Sequence, residues 1–309
     1  AALLSSPSDD LSSAPFSVIA LGRLGTAEMD IGSDVDLIFL ADSRLSSEDR
    51  EPWRRLAERF VHVASSHTRE GLLFPIDTRL RPRGGEGEIL PTTTSLLDYF
   101  RNDAEAWEAA TFLKARPVAG NLALGAEAIR ALHAVLVERF SAPGPLADQL
   151  SRTRDLLEKA SLEKQGPEWG RLPVTKGEFK RVAGGFYDVE YLLAFLFLTR
   201  GLQAGVAPGG HVLRQIAALE SAGALNTAVA QSLRSAALLY RGLDHAVRLV
   251  TGRPANLLPE PALAQRIAPL LARWGTPVGE RIESAVEAAR RQTRALYDQL
   301  LLSPRKTED

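Results

Sequence analysis

Two aspartates one residue apart, Asp34 and Asp36, open the apolar run IGSDVDLIFLAD, Ile31 to Asp42. A buried strand accepts apolar side chains readily and acids only at a cost, so carboxylates at its mouth need a use. If the segment is extended, period-two alternation turns both side chains to one face. A third acid, Asp77 in FPIDTRLRP, lies on another predicted strand and can be brought alongside them. Three clustered carboxylates raise one another's pKa unless cations neutralise them. Hard divalent ions such as Mg2+ take oxygen ligands, commonly one or two carboxylates together with substrate phosphates. Two such ions about 4 Å apart clamp the attacking and leaving oxygens of an in-line displacement. Metal ligation is the chemistry this constellation suits.

Just upstream, ALGRLGTAEMDIGSD follows a predicted strand directly. Gly22 and Gly25 permit a tight turn with exposed backbone amides. A short helix starting there would aim its positive end at an anion. Arg23 adds a charged donor, and Ser33 stands immediately before the acidic pair. Downstream, Arg79 and Arg81 carry guanidinium groups that match phosphate oxygens in bidentate fashion. Each part alone has a plainer explanation: a turn or cap at a strand edge, a glycine connection, surface arginines partnering nearby acids. Their conjunction, in this order, reads as a phosphate cradle beside a metal site.

The elements that must position these residues are short. FSVIALG and DVDLIFLA are bounded by Gly, Ser and Asp as strands are. GLLFPIDTRLRP reads as a third strand, with Pro75 favouring an edge or a bulge. Between Ser47 and Thr68, Trp53, Leu56, Phe60 and Val63 recur at helical spacing. GGEGEILPTTT is a loop, and SLLDYFR and AEAWEAATFLKAR continue as helices. In the second of these, Lys114 and Arg116 would complement the helix C-terminus and Trp107 would sit in the core. Beyond Asn121 the patterns are long and helical, separated by Gly- and Pro-containing breaks, with no further strand and no fixed-period repeat. The expected fold is therefore α+β with a small mixed sheet, followed by an all-α helical bundle. Residues 1–15 read as the loose edge of a longer polypeptide, 16–140 as the first domain and 141–309 as the second, the break falling near Ser141–Pro145.

Bulk properties narrow the classes. The 309 residues are 45% hydrophobic with a net charge of -1, which argues against a nucleic-acid binder built on a broad cationic surface. There are no cysteines, so thiol catalysis and thiolate metal sites are excluded. No apolar run approaches the roughly 20 residues of a membrane span, and the first residues lack the pattern of a signal peptide. A cytoplasmic location is expected. The five histidines are scattered without metal-ligand spacing, and no Gly-x-Ser-x-Gly elbow is present. The basic run ARRQTRALYDQLL reads as a solvated helix face with Leu296 and Leu300 inward.

These residues carry a family resemblance. ALGRLGTAEMDIGSDVDLIFL resembles the strand, glycine turn and Asp-x-Asp signature of the glutamine synthetase adenylyltransferases, within the DNA polymerase β-like nucleotidyltransferase superfamily. FPIDTRLRPRGGEGEI is similar to the family's third-carboxylate strand, and AWEAATFLKARPVAGN to its Trp-Glu helix ending in Ala-Arg. FKRVAGGFYDVEYLLAFL resembles the Gly-Gly, Asp-hydrophobic-Glu helix of its helical domain. LLYRGLDHAVRLVTGR looks like its later Arg-x-x-Glu-His element, with Asp244 where Glu is usual. The five motifs run in order from Phe16 to Leu257.

The resemblance implies a polymerase β-like nucleotidyltransferase module of a bifunctional parent. One such module transfers AMP from ATP to a tyrosine of glutamine synthetase, and the other removes it by phosphorolysis. Both are steered by the PII signalling protein and by glutamine. It further implies that Asp34, Asp36 and Asp77 bind two Mg2+ ions, or Mn2+ in their place, and that Asp77 accepts the tyrosyl proton. Gly22, Gly25, Arg23 and Ser33 would hold the triphosphate, with Arg79 or Arg81 on the transferring phosphoryl group. Lys180 and Arg181 would reach phosphate from the helix of Asp188 and Glu190, though that segment also reads as a capped amphipathic core helix begun by Gly184-Gly185. Thr26, the Ala-Ala-Thr-Phe run after Trp107-Glu108, and EYLLAFL depart from the family pattern without touching a carboxylate. Gly32 and ARPVAG lean toward the transferring module and AARRQTRALYDQLL toward the removing one; transfer is the preferred expectation. An RNA-, small-molecule- or PII-modifying relative, or a catalytically idle module binding nucleotide or a partner, are the alternatives.

Overall fold

The computed structural model describes residues 11–69, 71–72, 74–163, 178–253, 257–276, 278 and 281–303. Residues 1–10, most of the expected loose edge, lie outside them. The chain divides into two compact units, one of residues 1–29 and 33–139, the other of residues 30–32 and 140–309.

The first unit is built on a mixed four-stranded sheet. Its strands are β1 (Phe16–Ala20), β2 (Val35–Ala41), β5 (Ile76–Asp77) and β6 (Arg116–Gly120), in the order β5-β2-β1-β6. β1 pairs antiparallel with both β2 and β6, whereas β5 pairs parallel with β2. A separate two-residue pairing joins β3 (His67–Thr68) to β4 (Gly71–Leu72). The predicted third strand is thus two short pieces. Pro75 lies just before β5 at the sheet edge, where a missing N–H harms no ladder. Helices α1 (Gly22–Gly25), α2 (Ser47–Ala64), α3 (Thr93–Asn102), α4 (Ala106–Phe112) and α5 (Leu122–Phe140) complete this part of the chain.

Alternation along the strands sets what faces what. Phe16, Val18, Ala20, Val35, Leu37 and Phe39 form one apolar face, against which Ala57, Trp53 and Val61 of α2 pack. The stripe of α2 that meets the sheet is therefore Trp53, Ala57, Val61 and Ala64, not the predicted Trp53, Leu56, Phe60 and Val63. Small alanines let the helix approach closely. Phe60 and Val63 are left 46% and 61% exposed, Phe60 meeting Phe39 edge to face.

A second correction concerns AEAWEAATFLKAR. The helix ends at Phe112, and Arg116–Gly120 becomes the edge strand β6. Pro117 accounts for this, because the residue before a proline is driven out of the α region and an edge strand tolerates the missing donor. Glu108 of α4 is buried, accepting from the Tyr99 hydroxyl at 2.7 Å and from the Glu105 amide at 2.9 Å. Trp107 is half-buried, its indole N–H on Glu105, instead of joining the core.

The second unit is helical: α6 (Pro143–Glu163), α7 (Phe186–Leu196, continuing as a π-turn to Gly201), α8 (Val212–Ser221), α9 (Thr227–Thr251), α10 (Pro261–Arg273) and α11 (Ile282–Tyr297). Among the described residues its only β feature is the bridge Glu178–Leu257. In α7 every residue but Tyr187, Glu190 and Tyr191 is buried, as expected of a helix enclosed by others. Asp188 at its start is fully buried on fully buried Arg154, Nε to Oδ1 2.6 Å, and also accepts from the Gly184 amide at 2.7 Å. Gly184 has φ +74, and a Cβ there would stand 2.0 Å from the Arg290 carbonyl. Asp244 is likewise internal, bonded by Arg248 at 2.9 Å. Arg248 and His245 also hold the short segment of this unit that comes from the N-terminal half, at the Ile31 carbonyl (2.7 Å) and Asp30 (3.0 Å). No described helix is long and apolar enough to cross a membrane.

Candidate active site

The acidic residues meet through the β2–β5 ladder. The Val35 amide donates to the Pro75 carbonyl at 2.8 Å, which fixes the parallel register and sets Asp36 opposite Asp77. Neighbouring strands lie about 4.8 Å apart, so side chains paired this way are adjacent. Val35 and Leu37 turn to the α2 core, leaving Asp36 on the other face. Asp34, exposed, stands two residues before Asp36 and one before the strand begins.

The electrostatics separate the two paired acids. Burial, then Asp77, then Asp34 push the Asp36 carboxyl up to about 6, partly offset by Lys114 and Arg79. Asp77 is held below the usual carboxylate range by the Arg79 guanidinium. Arg79 reaches it with Nε at 3.0 Å from both oxygens and Nη2 at 2.5 Å from Oδ2, and the Arg79 amide adds a bond of 2.8 Å. Asp34 and Asp36 act on Arg79 as well, so this one exposed guanidinium lies in the field of all three acids.

The glycine turn is fitted to the same carboxylate. The Leu21 amide donates to the Asp36 carbonyl at 3.0 Å, and α1 begins at Gly22 with φ +51. A Cβ on Gly22 would stand 2.0 Å from Asp36 Oδ2. Glycine is required there both for its backbone and for the space. At Gly25 a Cβ would stand 2.1 Å from the Lys114 carbonyl. Thr26, buried, closes the turn with its hydroxyl 3.3 Å from the carbonyls of Gly22 and Arg23. Arg23 is half-buried in α1, and Ser33 is buried beside the acidic pair in sequence.

Two of the predicted basic residues have partners close to them in sequence. Arg81 is spent on its own loop, donating to the carbonyls of Thr78, Gly85 and Gly87 and to the Thr78 hydroxyl at 2.7–3.0 Å. It shapes the segment after β5, and of the two arginines only Arg79 presents an open guanidinium. Lys180 belongs to the second unit, where its ammonium lies over the Tyr187 ring at 5.6 Å. Two residues read from the sequence as helix-end cations belong to the site instead. Lys114 carries a charge that counters Asp36, and Arg116 grips α1 at the carbonyls of Leu24 (2.6 Å) and Gly25 (3.1 Å). The signal that separates them from a helix C-terminus is Pro117.

A divalent cation suits the donor chemistry. Oxygens dominate, and the raised Asp36 reports burial first and then repulsion from Asp77 and Asp34, both of which a cation would offset. Among the described residues, however, no three acids or histidines already converge as a ligand set. The expected triad is Asp36 and Asp77 side by side, Asp34 close enough to act on Asp36, and Asp77 turned onto Arg79. Asp36 and Asp77 are the side chains that would hold such an ion, with Asp34 beside them.

Strand, glycine turn, acidic strand and a parallel strand bearing the third acid define a nucleotidyltransferase-type α+β domain followed by a helical region. Residues 3–131 match the family model described as glutamate-ammonia ligase adenylyltransferase, and residues 162–301 match that of the GlnD PII-uridylyltransferase. Bifunctional glutamine synthetase adenylyltransferase/adenylyl-removing enzymes are similar along most of the chain. That of Streptomyces avermitilis is 30% identical over 82% of this chain and 24% of its own length. The Chromobacterium violaceum enzyme is 32% identical over 79% and 26%, and the Nocardia farcinica enzyme 30% over 84% and 26%. The chain belongs to the glutamine synthetase adenylyltransferase family, and it spans about a quarter of the length of these relatives.

Proposed function

We propose that this chain is a Mg2+-dependent nucleotidyltransferase module that transfers AMP from ATP to a tyrosine hydroxyl of glutamine synthetase. The observation that carries the reading is the Asp36–Asp77 register pair set against Gly22, where nothing larger than hydrogen fits. Asp34, Asp36 and Asp77 would hold the metal, two Mg2+ ions or Mn2+, whose chemistry is to neutralise phosphate charge and acidify the attacking hydroxyl.

The chain's own residues do the rest. Gly22, Gly25, Arg23 and Ser33 bind the β- and γ-phosphates. Arg79, 81% exposed, is free to leave Asp77 for the transferring phosphoryl group. Asp77 accepts the tyrosyl proton as the oxygen bonds α-phosphorus and pyrophosphate leaves. The names of the relatives carry a second reading, removal of AMP. Phosphate would then attack the tyrosyl-AMP bond at the same residues. Regulation by PII and glutamine would act through the longer parent protein, in the cytoplasm.

The test is incubation of the chain with ATP labelled at the α-phosphate and glutamine synthetase, with and without Mg2+. A parallel run uses adenylylated glutamine synthetase and phosphate. Label on the target, lost in Asp34→Ala, is expected; AMP release in the parallel run alone would assign removal. Turnover by Asp34→Ala at the wild-type rate would end the assignment, because losing such a group slows the chemical step by roughly a thousandfold.

A further inference from the structure

We propose that Arg116 is a positioning residue that holds the glycine turn at the height where its amides face a nucleotide's phosphates. The inference rests on the nucleotidyltransferase reading and goes beyond it, because Arg116 is about 90 residues distant in sequence and touches no acid of the site. α1 is a single turn, too short to be stable by its own hydrogen bonds. Its position must be imposed from outside.

Two restraints on its N-terminal side come from β2: the Leu21 amide on the Asp36 carbonyl, and the Asp36 carboxylate in the space where Gly22 lacks a side chain. At the C-terminal side the carbonyls need donors. Those of Leu21, Gly22 and Arg23 are taken by Gly25, Thr26 and Glu28. The Leu24 carbonyl accepts from the amides of Thr26 and, at 3.2 Å, Ala27, and it is at Leu24 and Gly25 that Arg116 donates with Nη2 and Nε. The fork of a guanidinium spans two successive carbonyls, which an ammonium cannot do.

Strand β6 makes this grip rigid. Arg116 pairs with Ala20 in the ladder, Pro117 fixes the next φ, and the Lys114 carbonyl closes on Gly25. The bonds from Arg116 are partly solvent-exposed, so they add little to global stability. Loss of Arg116 should move the turn without unfolding the domain.

The test compares Arg116→Ala, Arg116→Gln and Arg116→Lys with the wild type in two measurements. Amide hydrogen exchange at Thr26 and Ala27 in the nucleotide-free protein should quicken about tenfold or more in Arg116→Ala and Arg116→Gln, and less in Arg116→Lys. The dissociation constant for ATP with Mg2+, by calorimetry, should rise by about tenfold or more in the same order, while the circular-dichroism melt stays within a few degrees. Exchange unchanged within twofold overturns the proposal. So does quickened exchange with ATP affinity intact, since the turn would then be mobile yet irrelevant to phosphate. A wild-type chain that binds no ATP sinks the nucleotidyltransferase reading itself, and the exchange data alone then decide whether Arg116 positions the turn.

Discussion

Asp36 is the residue on which the site's energetics turn. Its carboxyl is pushed up to about 6 by burial and by Asp77 and Asp34, so the folded chain holds that proton more tightly than the unfolded chain does. Its favourable contribution is complete below the ordinary aspartate range and is lost as pH rises through about 6. Asp36→Asn, in metal-free buffer, should therefore melt higher than wild type at pH 8 and equally at pH 4, as read by thermal unfolding across that range. A variant less stable at pH 8 would show that Asp36 is stabilised rather than stressed. Neighbouring Asp77 has the opposite sign, since Arg79 lowers it, and its contribution disappears only in acid. Two carboxylates facing each other across a ladder thus differ because one is half-buried and the other has a guanidinium. The types Asp, Asp, Gly and Arg were legible in the sequence. Which of Arg79 and Arg81 stays available was not, because the answer depends on where the loop carbonyls of Thr78, Gly85 and Gly87 point.

At the scale of elements, helix ends and strand edges do most of the positioning. The turn before α7 is an example: Arg154, Asp188, Tyr240 and Arg290 all bond it, through the carbonyls of Val182, Gly184 and Ala183 or the Gly184 amide. The Gly-Gly, Asp motif thus serves the interior of the helical unit, as a capped core helix would. Because both partners are fully buried, Arg154→Met should lose up to about 3–5 kcal/mol by leaving Asp188 to the more distant Arg294 at 3.4 Å, and Arg154→Met with Asp188→Leu should recover most of it. Urea unfolding of both variants checks this; a single variant as stable as wild type would mean the pair is relaxed by water. Element identities followed from periodicity where a pattern was long, as in α9. Short patterns gave way to context. In α2 the face was set by how closely alanine allows approach, and after α4 a single proline turned the end of a predicted helix into the strand that carries Arg116.

For the whole molecule, binding and stability are linked: a ligand held only by the native chain raises its unfolding free energy by about 2.7 kcal/mol at a hundredfold excess over its dissociation constant. ATP with Mg2+ should shift thermal unfolding upward, ATP with a chelator should shift it far less, and Asp36→Asn should abolish the difference. Equal shifts with and without the metal would remove Mg2+ from the account. Composition, the absence of cysteine and the change from short alternating runs to long helical ones determined an α+β domain with a helical region after it. The strand–turn–Asp-x-Asp order determined which residues could do chemistry. Tertiary structure alone decided that Asp77 stands opposite Asp36, that Lys114 and Arg116 come back to the glycine turn, and that Arg81 donates to the carbonyls of its own loop. Periodicity is a property of neighbours in sequence. Register, and the donors a carbonyl finds, depend on residues that meet only when distant segments pack.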